Sequence, residues 1–278
     1  MTAIAGIAPI YAVAGFVTGM LVGMTGVGSG SLMTPILILL FGIHPAVAVG
    51  TDLLHAAVTK TVGSLVHGFS RTIEWGIVRR LAAGSMPMAV ITILAMSALD
   101  INGAAGRVLI NVVLTVALVV TVVVLIFRDR IVKRYADRIG MLTPKQTTAL
   151  TVIAGGILGT IVSISSVGAG AIGATCLILL YPKLPTARIV GSDIAHAVPL
   201  TLLAGIGHWL LGSIDLQIFM YLIVGSVPGI LLGSYLAIRI PERALRAVLA
   251  AVLVVVVAKL VIGLLPPGAN MVASESRH

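Results

Sequence analysis

Long uninterrupted apolar runs constrain this chain more than any other feature. Val108–Phe127 reads VLINVVLTVALVVTVVVLIF and holds no charged residue over 20 positions. A helix needs about 20 such residues to cross a bilayer. The whole chain is 59% hydrophobic and only 10% charged, whereas soluble domains carry about 25% charged residues. One water-soluble core cannot bury so much apolar surface, so the sequence predicts an all-α polytopic membrane protein.

Ten apolar segments follow one another along the chain. They lie at residues 4–24, 28–42, 46–69, 76–99, 104–127, 147–163, 167–181, 186–211, 216–238 and 244–265. A basic polar stretch separates the first five from the last five. We therefore expect a first membrane repeat at residues 1–127, a basic cytoplasmic linker at 128–146, and a second membrane repeat at 147–278 that ends in a short tail. About 8–10 segments would enter the membrane, because segments 4–24 and 28–42 could both cross or form a re-entrant hairpin.

The two halves repeat one pattern. At a shift of 140 residues Gly30 falls on Gly170, and Pro45 falls on Pro185. At a shift of 141 the stretch VGTDLLHA at 49–56 falls on VGSDIAHA at 190–197, and GSMP at 84–87 falls on GSVP at 225–228. Glycine matches arise by chance in an apolar chain, but aspartate, histidine and proline in one register do not. The sequence therefore predicts an internal duplication.

The basic residues predict how the halves are oriented. Lysine and arginine mark cytoplasmic connections, and 14 of the 18 basic residues fall in alternate connections between the segments. Each half holds an odd number of crossings, so the second half should be inverted relative to the first. We expect the central basic stretch to be cytoplasmic and both termini to be external, in the inner (plasma) membrane of the cell. The net charge of +9 is thereby explained without a nucleic-acid partner.

Matching glycine-serine stretches lie between the first and second segments of each half. They read TGVGSGS at 25–31 and SSVGAGA at 165–171. Glycine allows the chain to turn sharply, and each interruption exposes a helix N-terminus that attracts anions. We refer to them as hinge 1 and hinge 2, and we expect them to face each other and form a small-anion site near the membrane midplane. The candidate substrate-binding residues are Thr25, Gly26, Gly28, Ser29, Gly30, Ser31, Ser165, Ser166, Gly168 and Gly170. Close helix packing is the alternative interpretation.

Ionisable residues within the apolar segments form a second candidate set. They are Asp52, His55, Lys60, His67, Asp193, His196 and His208. Such residues are costly in a membrane and indicate function. Proton carriage, substrate contact and interhelical hydrogen bonding are the three roles open to them, and Asp52 and Asp193 could instead cap their helices. His67 and His208 lie near segment ends, where interfacial histidine is common. Lys60 has no counterpart, since Thr201 replaces it in the second half.

The ordered motifs resemble those of the TauE/SafE sulfite exporter family. GVGSG followed by Pro35, VGTDLLHA and GSMP recur as VGAG, VGSDIAHA and GSVP, and the resemblance covers roughly residues 8–264. It implies a permease that moves sulfite, sulfonates or related organic anions, driven by an ion gradient. The coupling ion would be a proton or sodium.

Two other functions remain open from the residues alone. A proton-coupled cation or metal transporter could use the Asp/His pairs as carriers or ligands. An intramembrane hydrolase with Ser29 as nucleophile is a remote alternative, because Ala169 replaces that serine in the second half. We expect a transporter and not an enzyme, with the lipid bilayer and a small anion as partners and no cofactor or metal. A homo-oligomer is compatible with the sequence.

Overall fold

The structure is a computed structural model that describes residues 2–25, 29–69, 72–139, 142–237 and 242–264. Within these ranges, the side chains of residues 2–8, 65–69, 136–139, 237, 242–243 and 264 are outside the description. Gly26 and Gly28 of hinge 1 therefore lie outside the described residues, and so does the side chain of His67.

Ten α-helices follow one another in the described part of the chain. They are α1 Thr2–Thr25, α2 Met33–Leu39, α3 Pro45–Phe69, α4 Trp75–Ala98, α5 Ala104–Ile139, α6 Pro144–Ser165, α7 Ala171–Leu180, α8 Thr186–Leu210, α9 Leu216–Ala237 and α10 Glu242–Leu264. A 3₁₀ helix, Ser29–Ser31, precedes α2. The prediction of an all-α protein that enters the membrane many times is confirmed. Six of the described helices, α4, α5, α6, α8, α9 and α10, are long and apolar enough to cross a bilayer.

Helix length distinguishes the second segment of each half from the others. Helix α2 has 7 residues and α7 has 10, so at a rise of 1.5 Å per residue they measure about 10 and 15 Å. The hydrocarbon core is about 30 Å thick. Neither helix can cross it alone, and both follow the predicted hinges. The helices are therefore broken where the sequence predicts, although membrane depth at the breaks stays a prediction.

Helix α5 is longer than its apolar segment. It runs for 36 residues to Ile139, so most of the basic stretch predicted as a linker is a helical extension. A helix of that length measures about 54 Å and projects well beyond a bilayer. The outer part of α5 therefore carries its arginines and lysines away from the apolar body.

Glycines set the closest helix contacts, and these contacts cross between the halves. In α1, Gly15, Gly19 and Gly23 lie against the backbone of α9, and a Cβ on Gly19 would be 2.6 Å from the Ser226 carbonyl oxygen. In α6, Gly159 lies against α4 in the same way, 2.4 Å from the Ser85 carbonyl oxygen. Small residues allow such close approach in membrane helices. The first helix of each half therefore packs against the fourth helix of the other.

Polar contacts repeat this reciprocal pattern. The backbone N–H of Glu74 donates to Ser192 Oγ over 2.8 Å, and the N–H of Asp215 donates to Thr51 Oγ1 over 3.1 Å. These four residues are related by the shift of 141 positions. Reciprocal contacts of this kind are typical of a two-fold arrangement. They support the internal repeat; the inversion of the halves relative to a membrane stays a prediction.

The central pair of helices is α3 and α8. Leu53 of α3 belongs to a buried apolar cluster with Ala197, Leu200 and Ala204 of α8. A second buried cluster joins α5 to α10 through Leu114, Leu118, Leu249 and Leu253. The apolar contacts hold the aspartate- and histidine-bearing helices side by side at the boundary between the halves.

Candidate functional site

The two hinges meet each other inside the protein. A Cβ placed on Gly30 would be 1.8 Å from the carbonyl oxygen of Ser166, closer than any side chain can approach. Glycine is therefore required at position 30 by the backbone of the other half. Ser29, Ser31 and Ser166 are buried around this contact. This geometry fits the prediction that the hinges face each other, and their role in binding stays a prediction.

Hinge 2 has an irregular backbone. Ser166 has a φ of 60° in the left-handed region, and Gly168 and Gly170 each have a φ of 127°. Glycine adopts these values without the steric cost that a Cβ brings. Helix α7 starts directly after Gly170, and no side chain caps it. The turn thus presents the N-terminus of α7 beside hinge 1.

Several buried hydroxyl and carboxylate oxygens near the hinges accept or donate no hydrogen bond. They are Ser29 Oγ, Ser163 Oγ, Ser166 Oγ, Asp52 Oδ1 and Asp193 Oδ1. Buried polar groups in proteins are nearly always hydrogen-bonded. Unsatisfied groups concentrated at one place are therefore suited to bind a polar ligand or ordered water. Thr25 and Ser165 differ, because their hydroxyls donate to the carbonyls of Leu21 and Ile161 in their own helices.

Asp52 lies on α3 against hinge 1. Its Oδ2 accepts a hydrogen bond of 2.7 Å from Thr34 Oγ1 of α2, and its Oδ1 is 3.5 Å from Nδ1 of His55 one turn further on. Asp52 is fully buried. It stands seven residues after the start of α3 at Pro45, and Asp193 has the same place in α8. The alternative that these aspartates cap their helices is therefore wrong.

Asp193 and Lys60 are brought together at hinge 2. The backbone N–H of Gly170 donates to the Asp193 carboxylate, and a Cβ on Gly173 would be 2.3 Å from Asp193 Oδ1. The Lys60 ammonium donates to the carbonyl of Ala169 over 3.2 Å. It interacts electrostatically with Asp193 and, less strongly, with Asp52. The lysine of the first half thus reaches the hinge of the second.

His55 and His196 form the most regular feature of the site. Nε2 of His55 lies 2.5 Å from Ser226 Oγ, and Nε2 of His196 lies 2.7 Å from Ser85 Oγ. Both histidines are buried, and the Nδ1 atom of each has no hydrogen bond. Each histidine therefore binds a serine of the other half.

The sequence analysis did not assign these two serines to the site. Ser85 and Ser226 belong to the repeated GSMP and GSVP motifs, and the repetition of a polar residue within an apolar helix was the signal that could have identified them. Thr34 was also missed. It has Ala174 as its counterpart at the shift of 140, so the repeat gave no signal there.

His208 lies near the end of its segment, where interfacial histidine is common, and its side chain contacts another helix. It is fully buried, and its Nε2 is 2.9 Å from the carbonyl oxygen of Ser163. That carbonyl belongs to the last turn of α6, just before hinge 2, where helix carbonyls lack partners within the helix. His208 therefore helps to end α6 at the hinge.

No cluster of three or more His, Cys, Asp or Glu side chains suited to a metal ion occurs among the described residues. The aspartates and histidines of α3 and α8 instead bond to serine, threonine and backbone groups. The arrangement offers hydroxyl donors, one ammonium and two carboxylates, all of them buried. Such a set can bind and release a small polar solute and exchange protons with it.

Together these features define a multi-pass helical membrane protein whose two halves meet at broken helices around a buried polar centre. Residues 11–260 match the family described as "Sulfite exporter TauE/SafE". The chain belongs to this family of membrane transporters, which confirms the resemblance seen in its motifs.

Two curated relatives come from Bacillus subtilis (strain 168). The probable membrane transporter protein YjnA is 37% identical over 256 residues, which cover 89% of this chain and 97% of the relative. The probable membrane transporter protein YunE is 39% identical over 70 residues, or 25% of this chain and 26% of the relative. No solved structure gave a significant match.

Proposed function

We propose that this membrane transporter is a secondary permease for small anions: sulfite, sulfonates or related organosulfur and organic anions. The observation that carries the proposal is the contact of the hinges, where Gly30 lies against Ser166. The anion would bind between them by alternating access. The unpartnered hydroxyls of Ser29, Ser163 and Ser166 and the N-terminus of α7 would supply its hydrogen bonds.

Lys60 supports an anionic substrate. Its ammonium is buried against hinge 2 and bonded to Ala169. A buried cation attracts anions strongly because little water screens it. Lys60 would neutralise part of the substrate charge where the hydroxyls hold its oxygens.

The aspartates support coupling to a cation. With Asp52, Asp193 and Lys60 all ionised, the centre carries one net negative charge, and an entering anion would add to it. A proton or sodium ion that enters with the anion offsets that charge. Asp52 and Asp193 each keep an Oδ1 atom without a hydrogen bond, so each carboxylate offers a site for the proton, and we propose Asp193 as the carrier.

The membrane orientation also belongs to this proposal. Contacts join the basic connections in pairs: Arg188 pairs with Glu74 over 2.6 Å, Arg80 donates to Tyr181 Oη over 3.2 Å, and Arg246 pairs with Asp129 over 3.2 Å. These contacts support a single basic end of the molecule. We place this end in the cytoplasm and both termini outside the cell, in the inner (plasma) membrane, because basic loops stay on the cytoplasmic side.

A cation transporter is the second candidate, favoured by the two buried carboxylates. The charge of the transported ion distinguishes the anion permease from the cation transporter. Proteoliposomes that contain the purified protein should take up radiolabelled sulfite, and unlabelled sulfite, thiosulfate, sulfoacetate and acetate should compete to different degrees. Uptake should also respond to an imposed pH or sodium gradient.

Protein-free vesicles and the Asp193→Asn variant are the controls for that assay. The variant should retain sulfite exchange but lose the response to the pH gradient, because an amide cannot take up a proton in this range. Uptake of rubidium or a divalent metal without sulfite uptake would contradict the anion permease and favour the second candidate.

A further inference from the structure

A cavity of about 70 Å³ lies beside the hinges, and most of its lining residues are not among those assigned above. Its lining includes Thr25 at the end of α1 and Gly170 just before α7. Thr25 belongs to hinge 1 and Gly170 to hinge 2, so the cavity contacts both hinges. Gly170 also donates to Asp193. The cavity therefore lies next to the polar centre.

Two arginines from two different helices line this cavity. Arg128 comes from α5 and Arg246 from α10, the helix pair that packs along the second apolar cluster. Thr175 and Thr25 supply further polar groups to the same lining. A single water needs about 10–15 Å³ of such space, so the cavity can hold one small oxyanion or a few waters.

The charges favour an anion in this space. Guanidinium groups bind planar or tetrahedral oxyanions through paired N–H donors, and the N-terminus of α7 adds a partial positive charge. Arg246 also pairs with Asp129 at 3.2 Å, but Asp129 is 65% exposed. An ion pair this exposed to water is weak, and an arriving anion can compete for the guanidinium.

We propose that Arg128 and Arg246 form an oxyanion-capturing subsite, which receives the substrate on the basic side of the molecule and passes it to the hinges. This proposal rests on the proposed function. The ligand class is a small oxyanion such as sulfite or a sulfonate group, and the arginines determine how tightly it is captured from that side.

The test is the concentration dependence of sulfite uptake in phosphatidylcholine vesicles. Arg128→Gln and Arg246→Gln should each raise the KM about tenfold, the loss expected for a hydrogen bond to a charged group, with the saturated rate nearly unchanged. The KM of the wild type should rise with ionic strength, and this rise should be smaller in both variants. Asp129→Asn should lower the KM, because it removes a carboxylate that competes with the anion for Arg246.

Arg134→Gln is the matched control, since Arg134 is exposed on the same helix and does not line the cavity. An equal KM for Arg134→Gln and the two cavity variants would overturn the subsite and leave the permease intact. An effect seen only in vesicles with anionic lipid would assign the arginines to a lipid headgroup and also overturn it. If Arg128→Gln or Arg246→Gln fails to insert into the membrane, the KM of Asp129→Asn decides. A KM of Asp129→Asn equal to that of the wild type would contradict the subsite. Absence of wild-type sulfite uptake would instead refute the proposed function.

Discussion

Two histidine–serine pairs join the halves at the residue scale. His55 binds Ser226 and His196 binds Ser85, each from one half to the other. The histidines could be predicted from the sequence because an ionisable residue in an apolar helix is conspicuous. Their partners could not, because a serine among glycines and alanines is also a common packing residue.

Removal of these serines should destabilise the protein. In Ser85→Ala and Ser226→Ala a buried histidine nitrogen loses its partner, which costs about 1–3 kcal/mol. The thermal unfolding midpoint in detergent should fall for both variants, and by similar amounts if the halves are equivalent. Ser97→Ala is the control, because the exposed Ser97 bonds only to Leu94 of its own helix. Midpoints equal to that of the control would show that the pairs do not stabilise the fold.

The contacts of the Lys60 ammonium could not be predicted from residue spacing within one helix. Its place two turns after Asp52 allowed a pair within α3, yet its ammonium bonds to Ala169 and interacts more strongly with Asp193. A lysine side chain is long, so the packing of α3 against α8 decides where it reaches. No pattern within one segment carries that information.

At the element scale, hydropathy predicted where the helices lie, but it did not predict which helices pack against each other. Each of the ten apolar segments contains one helix, because an apolar backbone in a membrane must satisfy its own hydrogen bonds. The basic stretch after residue 127 was the exception, since α5 continues through it to Ile139. Arginine and lysine are good helix formers, so charge ends the membrane segment without ending the helix.

The pairing of α1 with α9 depends on glycines, and one substitution tests it. A Cβ on Gly225 would be 1.8 Å from the Ala12 carbonyl oxygen, so Gly225→Ala must push the helices apart. Overpacking of this kind costs about 1–3 kcal/mol. The unfolding midpoint should fall, whereas Gly263→Ala should leave it unchanged, because nothing lies within 4 Å of the added Cβ there. Equal midpoints for the two variants would contradict the helix pairing.

At the scale of the whole molecule, the sequence halves are not separate bodies. Each half contributes its first helix to the fourth helix of the other, and the hinges touch across the same boundary. The sequence predicted the duplication, because the repeated motifs share one register. It did not predict that the first helix of each half packs against the fourth helix of the other half. Movement between two states would therefore shift mixed groups of helices from both halves.

Orientation in the membrane is testable on the intact protein. In a Cys176→Ala background, Asp100→Cys should react with an impermeant thiol reagent added to whole cells, and Lys145→Cys should react only after the cells are opened. Both positions are exposed, so access through the membrane decides the result. The reverse pattern would contradict the proposed orientation and the positive-inside assignment.

Transport is proposed to depend on the contact between the two hinges, and one pair of glycine variants tests this dependence most directly. Gly30→Ala places a methyl group 1.8 Å from the Ser166 carbonyl oxygen, whereas Gly76→Ala meets nothing within 4 Å. The measurement is the initial rate of sulfite uptake per inserted protein. We predict that Gly30→Ala loses at least about nine-tenths of the rate, since a misplacement near 1 Å can cost about 10²-fold in a positioned site, and that Gly76→Ala keeps it. A Gly30→Ala protein that transports as fast as Gly76→Ala would contradict the account.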